Sequence, residues 1–182
     1  MIRNLILTVG ILWLVVPASA QHLEVVPLLP ADTFKIAQYK ERAESLKDRD
    51  PKEESRCYDL IAFIYWEHNI CEKAVEWYQK SLAVNKKLDN LSGVSMINTN
   101  LGLLYNDMHQ FKAAYECFQQ TLAYRKMTKD KHGCISALIN MSVALNDLLR
   151  FEASITALDE ALSMARELND IEQMQSCYGM LS

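Results

Sequence analysis

The sequence predicts an all-α fold, an α-solenoid built from helix-turn-helix repeats. The deciding observation is a unit that occurs three times without a gap, at 51–90, 91–130 and 131–170. Self-similarity at a fixed period of about 40 residues is typical of repeats that stack in one direction around a continuous core. The content of turn formers supports the same fold class, because only five glycines and four prolines occur in 182 residues. Few positions are therefore left for strands or long loops.

Small and bulky residues recur at equivalent positions of the units and indicate two helices in each. The first half of a unit has a small residue and, three positions later, a large one: Ala62 and Tyr65, Gly102 and Tyr105, Ser142 and Leu145. The second half has a small residue and, four positions later, a bulky one: Ala74 and Tyr78, Ala114 and Phe118, Ser154 and Leu158. Spacings of three and four residues keep these side chains on one helical face, where two helices can approach closely.

Residues 1–20 differ in composition from the rest and predict a secretory signal peptide. Arg3 supplies a positive charge, residues 5–16 are almost wholly apolar, and residues 18–20 have the small-x-small pattern that precedes a signal peptidase cut. The apolar run is about a dozen residues, shorter than the ~20 needed to cross a bilayer. The alternative is an uncleaved membrane anchor. We expect an exported protein, periplasmic or otherwise extracytoplasmic.

Two segments lie between the signal peptide and the first unit. Residues 21–31 are rich in proline and predict an extended lead-in. Residues 32–48 predict a helix that caps the open end of the first unit, since terminal elements of repeat arrays are atypical; a degenerate repeat is the alternative. The residues of this helix expected to be buried include Phe34, Ala37, Ala43 and Leu46.

The sequence of each unit predicts two helices separated by a short polar turn. First helices are expected over about 53–67, 93–107 and 133–147, and second helices over about 71–88, 111–128 and 151–168. Turns are expected at 67–69, 107–109 and 146–148, where polar residues suited to helix ends occur. Residues 171–182 begin an incomplete fourth unit, which predicts either a fragment of a longer chain or a partner that covers the exposed apolar end.

The residues at these positions resemble the tetratricopeptide repeat family. Its pattern is met best in the second unit, by Leu101, Gly102, Tyr105, Ala114 and Phe118. The usual period of the family is shorter, at about 34 residues. This chain is therefore similar to the long variety found in kinesin light chains and in exported bacterial signalling proteins. The additional residues are expected to lengthen the second helix and the turn after it. The resemblance implies a helical scaffold that binds protein or peptide ligands.

Composition and motifs exclude several functional classes. The chain has 23 acidic and 19 basic residues and no basic patch, which argues against nucleic-acid binding. No phosphate loop, zinc-protease motif or nucleophile motif occurs, so no catalytic residue and no cofactor is predicted. His68 and Cys71 could supply two metal ligands, but two further ligands would be hard to find, and no metal site is predicted. The five cysteines are expected to be free core thiols.

The first helices are expected to line a concave groove that holds a peptide or a partner segment. Asn100 and Asn140 stand at equivalent positions, and the resemblance implies that they face the ligand, since a side-chain amide offers a donor and an acceptor to a peptide backbone. The alternative is that these amides bond neighbouring helices. Further candidates for the same wall are Arg56, Asp59, Phe63, Trp66, Asn106 and Asn146.

Two functions remain open at this point. The first is a non-catalytic, exported scaffold that binds a partner protein or peptide in the groove. The second is the extracytoplasmic sensor region of a larger membrane signalling protein similar to a histidine kinase, whose downstream domains would follow these repeats. The resemblance implies the second architecture, and a membrane would then be reached only through an uncleaved signal or a downstream segment.

Overall fold

The chain folds into a row of α-helices, and the computed structural model describes residues 24–181. Over this range the secondary structure is helical, with no strand. The helices are α1 (Pro30–Leu46), α2 (Pro51–Glu67), α3 (Cys71–Lys87), α4 (Leu91–Asp107), α5 (Phe111–Met127), α6 (Lys131–Asp147), α7 (Phe151–Leu168) and α8 (Ile171–Leu181). The predicted all-α solenoid is confirmed. The predicted signal peptide, residues 1–20, lies outside the described residues.

Each helix packs against the helices before and after it in the chain, which is the arrangement of a solenoid. The pairs α2–α3, α4–α5 and α6–α7 form the three units, and the contacts α3–α4 and α5–α6 join one unit to the next. α4 also contacts α6 directly. The first helices of successive units therefore lie side by side and share one face of the array.

An Asp or Asn side chain caps the N-terminus of four helices, the first helix of each unit and α8. A side-chain oxygen accepts a hydrogen bond from the backbone N–H three residues on, at 2.9 to 3.2 Å, in Asp50, Asn90, Asp130 and Asp170. This is the geometry of a helix N-cap. α2, α4 and α6 consequently begin two residues earlier than the sequence predicted, because these residues start the next helix rather than close the preceding turn.

The two helices of a unit have equal lengths in the first two units, at 17 residues each. The second helix is therefore no longer than the first in these units, and α7 in the third unit has 18 residues. The turns inside the units lie at 68–70, 108–110 and 148–150, one or two positions later than predicted. From α2 to α7, every helix and the turn after it have the same combined length, so each unit consists of two equal halves.

The turns share a residue in the left-handed region, and in the described part of the chain none of these residues is glycine. The angle φ lies between 50° and 58° at Asn69, Asp89, His109, Lys129 and Leu149, which follow one another at equal intervals. After each of these residues the next backbone N–H donates to the carbonyl five positions earlier at 2.8 to 3.0 Å, which closes the helix end as a Schellman motif does. Asn and Asp tolerate this conformation, whereas the exposed Leu149 has no local compensation for it.

The core lies between the two layers of helices and is formed by the residues that define the repeat. Tyr78, Phe118 and Leu158 are at most 2 % exposed, and Ala114 is fully buried. Two helices approach closely at Gly102 in α4, where an added Cβ would lie 2.5 Å from the Phe118 ring. Glycine at this position allows the ring of α5 to pack directly against the backbone of α4.

The buried face of α1 agrees only in part with the sequence prediction, which was correct for Ala43. Ile36 and Ala43 are buried, while Phe34 is 64 % exposed and Ala37 is exposed as well. The buried face continues through Tyr39, so its members are spaced by three and four residues. The expectation for Phe34 and Ala37 was wrong because both lie outside this face.

Residues 24–29 are held against the turn between α2 and α3. The Val26 N–H donates to the carbonyl of His68 at 3.0 Å, and the Asn69 side-chain amide donates to the carbonyl of Glu24 at 2.8 Å. Nδ1 of His68 lies 3.2 Å from the Val26 carbonyl oxygen, and its Nε2 lies 3.3 Å from Oδ2 of Asp32. His68 therefore links the lead-in, α1 and the first turn, a role that its sequence position does not indicate.

The contact between Gly102 and Phe118 predicts the effect of a single methyl group. Gly102→Ala would force the buried ring to move, at a cost of about 1–3 kcal/mol, against a gain in helix propensity of about 1 kcal/mol. We expect a net loss of stability in urea unfolding. Gly179→Ala in α8 is the matched control, since a Cβ there would meet nothing within 4 Å. A Gly102→Ala variant as stable as wild type would contradict the described packing.

The left-handed Leu149 predicts a stabilising substitution. Leu149→Gly removes the steric cost of positive φ, about 1–2 kcal/mol, and part of this gain is lost to the greater freedom of glycine in the unfolded chain. We expect unfolding to be harder by about 0.5–1 kcal/mol, measured as a rise in the melting temperature. Leu149→Ala removes the same exposed side chain but keeps the strain, so it should not be stabilised to this extent. Equal melting temperatures for the two variants would show that the turn is unstrained.

Candidate functional site

One face of the array is formed by residues of the first helices that recur every three or four positions, and we name it the first-helix face. Its members are Arg56, Leu60, Phe63 and Glu67 in α2; Met96, Asn100, Leu103 and Asp107 in α4; and Ser136, Asn140, Val143 and Asp147 in α6. Each is exposed or half-buried. Since the spacing matches the helical repeat, these residues form continuous rows across neighbouring units.

The two asparagines predicted from the sequence occupy the centre of this face. Asn100 and Asn140 are half-buried, and within residues 24–181 neither side chain hydrogen-bonds to another residue. Bonding of these amides to neighbouring helices, the alternative interpretation, is therefore not observed in that range. Each amide keeps a free donor and a free acceptor beside the apolar side chains of Leu103 and Val143.

Phe63 of this face lies next to Trp66, which is half-buried. Phe63 is 49 % exposed. The indole Nε1 of Trp66 donates to Oδ2 of Asp107 in the next unit at 2.9 Å, and its ring packs edge-on against Tyr78. Phe63, Trp66, Glu67 and Asn69 line a shallow depression of about 270 Å³. The bond from Trp66 to Asp107 connects α2 and α4.

Asp59 and Asn106 were predicted to line the same groove as Asn100 and Asn140, but part of each side chain lies inside the array. Oδ1 of Asp59 and Oδ1 of Asn106 are buried without a hydrogen-bond partner. Burial raises the pKa of Asp59 to about 6, partly offset by a hydrogen bond from Ser81 in α3. Asp59 thus faces the second helix of its own unit, one position away from the row that contains Leu60.

The two remaining predicted residues lie at opposite ends of the first helices. Arg56 is exposed in α2 and forms an ion pair with Glu53 at 3.4 Å, one turn earlier. Asn146 is exposed at the end of α6. The structure therefore places Asn100, Asn140 and Phe63 on the rows of one face, with Trp66 beside Phe63, while the other candidates lie at the margins or face inward.

Sequence reasoning missed three carboxylates at equivalent positions, which we name the acidic edge: Glu67, Asp107 and Asp147. Each ends a first helix and is exposed. The signal was present in the sequence as a carboxylate once per unit, but these residues were interpreted only as polar helix ends. The last turns of α2, α4 and α6 contain no basic residue, whereas those of α3, α5 and α7 do.

The described residues offer little for catalysis or metal binding. Between residues 24 and 181 no group of three or more His, Cys, Asp or Glu side chains could hold a metal ion. The five cysteines are free thiols, and burial raises the pKa of Cys117 to about 11, which leaves the thiol protonated and unreactive. Over the same range no helix combines the length and apolar character needed to cross a membrane.

Comparison with known families points to the same repeat. Residues 93–167, which include α5, α6 and most of α4 and α7, match a family model described as tetratricopeptide repeat. The matched residues are therefore similar to tetratricopeptide repeats. Among curated proteins no sequence matches the chain. This similarity supports a protein–protein interaction scaffold, because tetratricopeptide repeat proteins generally bind protein partners and are generally non-catalytic.

Solved structures with the same fold are distant in sequence. BtubC (BKLC) from P. vanneervenii has 18 % identity and a TM-score of 0.70, over 84 % of this chain and 67 % of that one. The N-terminal domain of stress-induced protein-1 (STI-1) from C. elegans has 12 % identity and a TM-score of 0.60, over 74 % and 99 %. A Podosopora anserina protein described as a kinesin light chain with nearly identical TPR-like repeats has 12 % identity and a TM-score of 0.66, over 82 % and 78 %. These similarities show the fold.

The buried carboxyl of Asp59 predicts a pH dependence of stability. Its pKa is raised from 3.8 to about 6 in the folded chain, so folding favours the protonated form. This contribution is fully present below about pH 4 and is lost as the pH rises through 6. Asp59→Asn should therefore stabilise the chain at pH 7, by at most about 3 kcal/mol, and have less effect at pH 4.

The measurement is urea unfolding of wild type and Asp59→Asn at both pH values. Asp159→Asn, which removes an exposed carboxylate in the middle of α7, is the matched control. A stabilisation by Asp59→Asn that is the same at pH 4 and at pH 7 would mean that the carboxylate carries no burial penalty.

Proposed function

We propose that this chain is a non-catalytic scaffold that binds a peptide segment of a partner protein along the first-helix face. The proposal rests on one observation: the first-helix face combines side-chain amides that have no hydrogen-bond partner among the described residues with exposed apolar side chains. Asn100 and Asn140 have no partner in the described range, and Leu60, Phe63 and Met96 are 37 %, 49 % and 50 % exposed. An apolar surface of this kind with unused hydrogen-bonding groups is typical of an interaction site.

The spacing of the two amides fits an extended backbone. Helices in contact lie about 8–10 Å apart, and three residues of an extended peptide span about 10 Å. Asn100 and Asn140 can each bond one peptide group of a segment that crosses α4 and α6, while the intervening side chains contact Leu103 and Val143. The amides would give affinity for a backbone, and the apolar contacts would select the sequence.

The proposed scaffold is an exported one, and the alternative form of the proposal is the sensor region of a larger membrane signalling protein. The composition of residues 1–20, with an apolar run before Ala18-Ser19-Ala20, favours export to the periplasm or another extracytoplasmic space. If these repeats are the outer region of a larger membrane signalling protein, the same face would bind the ligand that is sensed. Cell fractionation with an antibody against the repeats distinguishes a small exported protein from a large membrane-bound one.

Binding is tested by selecting peptides from a random display library on the full chain. Asn100→Ala combined with Asn140→Ala should lower the affinity for the selected peptides about tenfold, because two hydrogen bonds are lost. The melting temperature of this variant should change by less than about 2 °C. Affinity is measured by fluorescence anisotropy.

The matched control replaces two exposed amides that also lie at equivalent positions of successive units, but on the second helices, Gln79→Ala with Gln119→Ala. This control should bind the selected peptides as wild type does. Equal affinity for wild type and for the asparagine variant would remove the first-helix face as the binding site.

A further inference from the structure

The acidic edge carries charge that the chain does not neutralise. Among residues 24–181, no ion pair involves Glu67, Asp107 or Asp147. Asp107 accepts a hydrogen bond from the neutral indole of Trp66, which orients its carboxylate and leaves the charge in place. On the second helices, by contrast, Glu76 and Glu160 each lie 2.7 Å from a lysine nitrogen.

The position of these carboxylates is also unfavourable for the helices that carry them. The carboxyl end of a helix has partial negative charge, so acidic side chains there reduce stability and basic ones increase it. The second helices follow this rule with Lys86, Arg125 and Arg166 in their last turns. The first helices oppose it at equivalent positions of three units, and a repeated local cost of this kind is typical of a functional surface.

The half of the first-helix face next to the acidic edge contains no cation. The stretches 59–67, 99–107 and 139–147 have no lysine or arginine. Two cations near this edge, Lys73 and Arg150, lie over the rings of Tyr65 and Tyr115 at 5.3 and 5.8 Å. These stretches therefore carry carboxylates without lysine or arginine beside apolar side chains. Lys112, in the helix after Asp107, lines a depression with Leu148.

Each carboxylate lies one helical turn beyond an apolar residue of the same face. The pairs are Phe63 with Glu67, Leu103 with Asp107, and Val143 with Asp147. An apolar surface next to a carboxylate matches the side chains of lysine and arginine, whose stems are apolar and whose heads are cationic. The match recurs once per unit, at the interval of about 10 Å that separates neighbouring helices.

We infer that the first-helix face takes an extended peptide with a lysine or arginine at every third residue, each stem on an apolar residue and each head on a carboxylate of the acidic edge. Three residues of extended chain span about 10 Å, so successive cationic side chains reach successive units. This inference rests on the proposed function and adds the chemistry of the partner. An acidic peptide would meet like charge along the same edge.

The test compares three labelled peptides on the full chain by fluorescence anisotropy. The first repeats Arg-Ser-Gly and ends in Arg, the second has the same composition with its arginines contiguous, and the third replaces arginine by glutamate. We expect the spaced peptide to bind best and the acidic one not to bind. The affinity of the spaced peptide should fall as the salt is raised to about 0.15 M, since exposed ion pairs are screened.

The decisive variant neutralises the acidic edge, with Glu67→Gln, Asp107→Asn and Asp147→Asn. It should bind the spaced peptide about tenfold more weakly or worse. The matched control changes the net charge equally at three exposed sites off the first-helix face, with Asp89→Asn, Glu116→Gln and Asp159→Asn, and it should keep wild-type affinity. Urea unfolding of both variants confirms that they are folded.

Several results would overturn the inference. Equal binding of the spaced and contiguous peptides, or equal losses in the two variants, would show unspecific charge attraction. Tight binding of the acidic peptide, or self-association of the chain in sedimentation, would indicate another occupant. If library peptides bind through Asn100 and Asn140 but lack spaced cations and ignore the acidic edge, the proposed function stands and this inference fails. If no peptide binding depends on the first-helix face, the proposed function fails first.

Discussion

The short turn with a left-handed middle residue is the constraint on which the rest of the structure depends. It recurs at Asn69, Asp89, His109, Lys129 and Leu149, and the helices that it follows have 17 residues each. Because every helix and turn have the same combined length, residues that are one unit apart in sequence occupy equivalent positions in space. The rows of the first-helix face follow from this equality. Asn100 aligns with Asn140, and Asp107 with Asp147, without any contact between the paired side chains being required.

The fold could be predicted from the sequence because the residues that define the repeat are core residues. The small residue at Gly102 and the ring of Phe118 identify two helices that touch, and the spacing of equivalent pairs gives the period. Helix starts were less predictable, since Asn90 and Asp130 could equally close one turn or cap the next helix. The buried face of α1 could not be predicted from the repeat, because α1 is out of register with the units that follow. The left-handed Asp48 lies one position further from Asn69 than the later left-handed residues lie from one another.

The candidate site was predicted in part, and the physical reason for the difference is helical phase. Asn100, Asn140 and Phe63 lie on the open face because they fall on its rows, whereas Asp59 is one position away and turns toward Ser81. One residue corresponds to about 100° of rotation around the helix. The acidic edge was missed for another reason, since a carboxylate at a helix end is unremarkable alone. It becomes informative only when second helices of the same chain end in lysine and arginine.

The equal length of helices and turns also limits how such a chain can change in evolution or by engineering. Insertion of one residue within α4 would rotate the following residues by about 100° and remove Leu103 and Asp107 from their rows. Duplication or deletion of a complete unit would leave every remaining row aligned. The array can therefore vary in steps of one whole unit, and each step would add or remove one apolar side chain with its carboxylate. The length of the first-helix face, and of the peptide that we propose it binds, would change in the same steps.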